Sequence, residues 1–294
     1  MISRRVFLTA PILTVSATVL LRAAPQFKGV NLGCQTNAWR IDPNDFQQVL
    51  GVVAKLKELG FDGFETGFRN IQGQFDNATT ARRQIEKTGM RFFGAHIFLE
   101  EYDPQTHIPP QELISAVAKG AAPLGAQRVI VSGRNLLRHD KPALAISAKA
   151  SALNEAGREC AKQGLRLAYH NHSPEFTKTA SESLEIEALI RETDPKLVDF
   201  LIDCGWAYRA KAPLSEFFER HYMRIVGLHL RDFKGDEQVP LGQGDFPIKT
   251  LADTIKRLNW SGWVLNEEER LNGDKPGASA VAPARATLRQ VFGR

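Results

Sequence analysis

Residues 167–172 read Leu167-Ala168-Tyr169-His170-Asn171-His172, an apolar run that ends in groups able to bind a cation. Three later stretches repeat the pattern: Phe200-Leu201-Ile202-Asp203, Val226-Gly227-Leu228-His229 and Trp263-Val264-Leu265-Asn266-Glu267. Each run has the length and composition of a buried strand, and each precedes a helix-like stretch. In a β/α barrel the carboxyl ends of successive parallel strands converge on one mouth, where active sites lie. Two imidazoles and two carboxylates delivered there suit a hard or borderline divalent cation with open coordination positions.

Working outward, the same alternation runs through most of the chain. Strand-like runs fall at 30–35, 63–65, 91–96, 128–131, 165–170, 198–203, 224–229 and 263–267. Amphipathic stretches separate them. In the one over 46–59, apolar residues at Phe46, Val49, Leu50, Val53, Leu56 and Leu59 trace one helix face. Gly60, Gly89, Gly125 and Gly164 each stand where a helix would be capped just before a strand. Eight strand–helix units in one chain predict an α/β fold, a single closed (β/α)8 TIM barrel over residues 25–294. The alternative, an open doubly wound sheet, is disfavoured because no Gly-x-Gly-x-x-Gly turn follows the first strand.

The first 24 residues read as an address. Ser3-Arg4-Arg5-Val6-Phe7-Leu8 precedes an apolar stretch from about Thr9 to Leu21, followed by Ala23 and Ala24. A charged start, a short apolar run and small residues describe an export signal, and the paired arginines resemble a twin-arginine leader. The run is shorter than the about 20 apolar residues of a membrane span, and membrane contact is expected only through an uncleaved leader. The expected location is periplasmic or exported. Net charge is +5, and without Arg4, Arg5 and Arg22 it is about +2, too weak to imply nucleic acid. Cys34, Cys160 and Cys204 have neither a disulfide framework nor metal-ligand spacing, and read as buried small hydrophobes.

The motifs then combine. Ala168-Tyr169-His170-Asn171-His172-Ser173-Pro174-Glu175-Phe176, Asp203-Cys204-Gly205-Trp206-Ala207, His229-Leu230-Arg231-Asp232, Pro240-Leu241-Gly242-Gln243-Gly244-Asp245 and Gly262-Trp263-Val264-Leu265-Asn266-Glu267 follow in order. In them the chain resembles the xylose isomerase-like barrel superfamily, in its sugar phosphate isomerase/epimerase branch, over the whole mature length. The resemblance implies one divalent cation (Mn2+, Zn2+, Mg2+ or Co2+) held by His170, Asp203, His229 and Glu267. Many epimerases of the group carry a Glu where this chain has His170, and two glutamates then face each other across the sugar. Here only Glu267 remains of that pair. One-sided proton abstraction, with isomerisation or elimination following, is therefore favoured over symmetric epimerisation.

Glu267 is the candidate base for a proton made acidic by a polarised carbonyl. His172 and Glu175 are further acid/base candidates. His172 is also an alternative ligand to His170, since strand residues two apart share a face. Glu65 and His96 close strands two and three and are expected to contact sugar or support the ligands. Trp206 offers an apolar platform for a sugar ring, where some relatives hold a polar residue. Arg231 is placed to bind a substrate oxygen or a carboxylate, and Asp232 to orient a ligand histidine. Arg134 reads as a phosphate contact or a solvent-facing cation.

The leading expectation is a metal-dependent isomerase, epimerase or lyase acting on a sugar, keto-sugar or keto-glycoside, with a small-molecule carbohydrate as partner and a homo-oligomer possible. Two alternatives remain open. One is a non-catalytic exported sugar-binding protein on the same fold. The other is a metal hydrolase resembling endonuclease IV, disfavoured by the seven histidines and near-neutral mature charge.

Overall fold

The structure is a computed structural model that describes residues 27, 29–178, 184–268 and 273–294. The proposed leader lies outside these residues, and so does Glu269. Eight parallel strands close into a barrel: β1 (Val30–Gln35), β2 (Gly63–Gly67), β3 (Arg91–Ile97), β4 (Arg128–Val131), β5 (Arg166–His170), β6 (Val198–Asp203) and β7 (Ile225–Leu230), with the last barrel strand at Gly262–Asn266. Between β7 and that strand the chain makes an antiparallel hairpin, β8 (Asp232–Lys234) and β9 (Glu237–Val239), so the last barrel strand is β10. The hairpin is too short to leave a periodic trace and had no counterpart in the sequence reading. Closure is made by β1 pairing with β10.

The strand positions expected from sequence are occupied, with small shifts at the ends. β2 runs on to Gly67, while Arg224 belongs to a short helical turn, Tyr222–Arg224, ahead of β7. The helix Phe46–Leu59 buries Phe46, Val49, Val52, Val53 and Leu56, and Leu50 and Leu59 flank that arc half-buried. Gly60 ends it at φ +89°, its N–H donating to Leu56 and Lys57 carbonyls. Gly89, Gly125 and Gly164 also sit at positive φ, as helix C-caps commonly do. All three cysteines are buried and free.

Two apolar layers hold the fold. The larger lies between the strands and the surrounding helices. The smaller fills the barrel interior with Phe93, Ile130, Ala168, Leu201, Trp263 and Leu265. Trp263 reaches across this floor because Gly63 has no side chain; a Cβ there would lie 2.5 Å from the indole. Strand residues two apart face the same side. The interior residues Ala168, Leu201 and Leu265 are therefore followed, one step up, by His170, Asp203 and Glu267. An apolar plug beneath and a polar ring above is the consequence.

Candidate active site

The polar ring is buried and crowded. His170, Asp203, His229 and Glu267 are all buried, and one candidate ligand atom from each lies within 4.8 Å of every other. Ligand atoms around a four-coordinate ion with bonds of about 2.1 Å stand about 3.4 Å apart, so the widest pair would close by roughly 1.4 Å to seat a divalent cation. His170 Nδ1 is buried without a hydrogen-bond partner, whereas Asp203 Oδ2 and Glu267 Oε2 lie within reach of Arg231 and His229 Nδ1 lies 2.6 Å from Glu267 Oε2. Imidazole nitrogen with carboxylate oxygen is a donor set that fits zinc, manganese or cobalt.

The surrounding residues hold these four in place. Asp203 Oδ1 accepts from the Trp206 N–H at 2.9 Å, capping the helix Cys204–Arg209, which leaves Oδ2 turned inward. Asn171 clamps the ends of β5 and β6: its Oδ1 accepts from the Asp203 N–H at 2.9 Å. The Asn37 side-chain amide donates to Glu267 Oε1 at 3.1 Å, leaving Oε2 for the cluster. His229 Nε2 donates to Glu65 Oε2 at 2.8 Å, and His96 Nδ1 donates to Glu65 Oε1 at 2.8 Å. Arg231 lies across the carboxylates, Nε 2.8 Å from Asp203 Oδ2 and Nη2 2.6 Å from Glu267 Oε2.

Burial and mutual charge shift the titration of the cluster. Burial pushes Asp203 up to about 6, with Glu267 adding to the effect and Arg231 opposing it. Burial would lower His229, but Glu65 and Glu267 outweigh it and hold the imidazole up to about 10. Burial and the neighbouring His229 and His96 drive His170 well below its ordinary value. Burial also brings His172 down to about 4.

A pocket of about 240 Å³ opens over this ring, lined by Gln35, Asn37, Gly67, His96, Phe98, His170, His172, Trp206, Arg231 and Glu267. Among the described residues that line it, Glu267 is the one carboxylate. His96, Trp206 and Arg231 thus face the pocket. Glu65 is fully buried and faces His96 and His229 instead. His172 lies beyond the end of β5, outside the four-residue cluster, with its ring 5.3 Å from that of His170. Glu175 is buried; its Oε1 accepts from the Tyr169 hydroxyl at 2.7 Å and its Oε2 from the His172 N–H at 3.0 Å. Asp232 does not orient a histidine. Its Oδ1 accepts from the Phe233 and Phe246 N–H groups and its Oδ2 from those of Gly242 and Gly244, folding the 240–246 loop around itself. Glu268 supports the same loop, accepting from the Leu241 N–H at 3.1 Å.

Gln35, Asn37 and Asn171 were not singled out from sequence. Gln35 and Asn37 fall at and just after the end of β1, a position that could have marked them. Asn171 lay within the motif, but a strand-to-strand clamp leaves no local pattern.

The family described as xylose isomerase-like TIM barrel matches residues 53–291. An inosose dehydratase from Lactiplantibacillus plantarum is 24% identical over 283 residues, spanning 83% of this chain and 90% of that protein. The solved structure of a 3-keto-D-glucoside 4-epimerase from E. coli has a TM-score of 0.69 at 18% identity, covering 89% of this chain and 99% of its own. An IolI protein with a bound zinc atom gives 0.71 at 13% identity, covering 90% and 98%.

Proposed function

The chain belongs to the xylose isomerase-like TIM barrel family, and on that premise we propose that it is a cation-dependent lyase or isomerase acting on a keto-sugar or keto-glycoside. The observation that carries the reading is the buried convergence of His170, Asp203, His229 and Glu267 beneath a pocket the size of one sugar ring. The inosose dehydratase relative and the keto-glucoside epimerase neighbour support an enzyme of the isomerase or lyase kind.

His170, Asp203, His229 and Glu267 are the residues that would hold a divalent cation. When bound, the cation would polarise a carbonyl and adjacent hydroxyl of the sugar and so acidify the neighbouring C–H. Glu267 would accept that proton, its carboxylate held by Asn37 and Arg231. No second carboxylate lines the pocket among the described residues, so nothing of that type stands ready to return the proton to the opposite face. Departure of an oxygen substituent from the adjacent carbon, or transfer of the proton within one face, fits this asymmetry better than epimerisation. His172 faces the same pocket and, held neutral, would offer a ring N–H hydrogen bond to the departing oxygen, which would leave with the proton taken up by Glu267; Glu175 fixes the His172 backbone. His96, Trp206 and Arg231 would contact the sugar, and Glu65 would orient His229 from behind. On its N-terminal motif we assign the protein to the exported fraction, which N-terminal sequencing of the mature protein tests.

The experiment is metal analysis of the purified protein beside Asp203→Ala and His229→Ala, followed by NMR of keto-sugars and keto-glycosides in deuterated water. Wild type is expected to hold about one divalent ion per chain and both variants much less. Equal metal content in all three would overturn the ligand assignment. Absence of hydrogen exchange across the panel, with metal present, would overturn the enzymatic reading.

A further inference from the structure

Beyond His172 lies a cleft of about 850 Å³ among the loops that follow β3, β4 and β5. The inner pocket, at about 240 Å³, falls below the roughly 300–1,000 Å³ of sites that bury a drug-sized ligand, so it holds one ring and little more. Phe98 and His172 line both cavities, with their rings 6.0 Å apart. Resting on the function proposed above, we propose that the outer cleft receives the aglycone of a keto-glycoside. The occupant is an uncharged, preferably aromatic group, and its linking oxygen lies alongside Phe98 and His172, which border both cavities.

The cleft has the chemistry for such a group. Phe98 is 56% exposed, one of three large hydrophobic residues left open among the described residues. The fold gains nothing from that exposure, whereas an aromatic substituent would cover it. Tyr102 adds a second aromatic ring to the wall. Glu100, Glu101 and Glu175 line the cleft against the single cation Arg134, a balance that disfavours a phosphate in the same place.

The walls are also built in advance. The Arg134 N–H donates to the His107 carbonyl at 2.7 Å, tying the two loops together. Behind them Lys149, fully buried, donates to the Arg134 carbonyl at 3.2 Å and pairs with Glu185 at 2.5 Å. Only a glycine at 133 leaves room for this, since a Cβ would lie 2.4 Å from Lys149 Cε. Asp103 fixes the other loop by accepting from the Gln105 and Thr106 N–H groups. A cleft shaped before its ligand arrives avoids the ordering cost of forming one.

The test compares methyl and p-nitrophenyl keto-glucosides, with a phosphorylated keto-glucose as a third probe, by calorimetric binding to the metal-loaded full-length protein. Wild type should bind the aryl glycoside at least about tenfold more tightly than the methyl glycoside. Asn135→Trp, which fills the cleft, and Tyr102→Ala, which removes a wall, should bring that ratio to within about threefold of one, a gap of under 1 kcal/mol. Equal affinities in wild type, a ratio that neither variant moves, or tightest binding of the phosphorylated sugar would overturn the aglycone subsite. If the methyl glycoside still exchanges hydrogen in deuterated water, those outcomes leave the inner-site reading standing. If the methyl glycoside neither binds nor exchanges, both readings fall.

Discussion

His229 Nε2 donates to Glu65 Oε2 at 2.8 Å, while the opposite ring nitrogen lies 2.6 Å from Glu267 Oε2. One imidazole thus spans the barrel mouth, with a supporting carboxylate on one side and the candidate cation site on the other. Glu65 keeps the proton on Nε2, so that a cation bound beside Glu267 would displace the proton at Nδ1 and take that nitrogen as its ligand.

That relationship predicts the effect of Glu65→Gln. The amide keeps the volume but loses the charge that makes Nδ1 a better donor. Metal affinity is expected to fall roughly 10–100-fold with little change in folding. Competition titration against a chelator measures it; unchanged affinity would remove Glu65 from the site.

Asp203 has two separable tasks. Asp203→Asn keeps an oxygen to accept from the Trp206 N–H but loses the cluster charge, so metal loss with modest destabilisation is expected. Asp203→Ala also removes the helix cap, worth about 1 kcal/mol, and strips Arg231 of a buried partner, where a broken pair costs about 3–5 kcal/mol. Urea unfolding of the metal-free proteins should rank wild type, Asn, then Ala. Equal stability of the two variants would contradict this division.

Asp232→Ala leaves four backbone N–H groups around residues 233–246 without their acceptor. Each unsatisfied donor costs about 1–3 kcal/mol if it stays dry. Water will reach some of them, so a loss of about 3 kcal/mol is expected, together with faster proteolysis or amide exchange in the 240–246 loop. A stable variant with that loop still protected would refute the anchoring role.

Glu185 sets a pH dependence. Burial pushes its carboxyl up to about 7 against the pull of Lys149. A folded-state value above the ordinary one means that folding takes up a proton between about 4.5 and 7, so stability falls as pH rises through that window. Glu185→Gln should lack this component. Urea midpoints at pH 5 and pH 8 should therefore diverge less in the variant than in wild type, and parallel profiles would exclude Glu185 as the source.

Local pattern was enough for the barrel. Each of its strands is an apolar run that a period-two face and a following helix make recognisable, and the cap glycines marked where helices stop. The four clustered side chains were legible for the same reason, because a polar residue directly after a buried run can only emerge at the strand's carboxyl end. What local pattern could not convey was partnership across the barrel. That Glu65 backs His229 across 164 residues, that Asn37 holds Glu267 across 230, and that Asp232 gathers a loop rather than a histidine are facts of closure.

By itself the sequence determined which residues reach the mouth, since alternation along a strand and the order of strand and helix are short-range properties of the chain. The tertiary structure alone decided which atoms of those residues pair with one another and how far the pocket extends beyond them. Both depend on distances between segments far apart in the chain, which are set only when β1 meets β10 and the barrel closes.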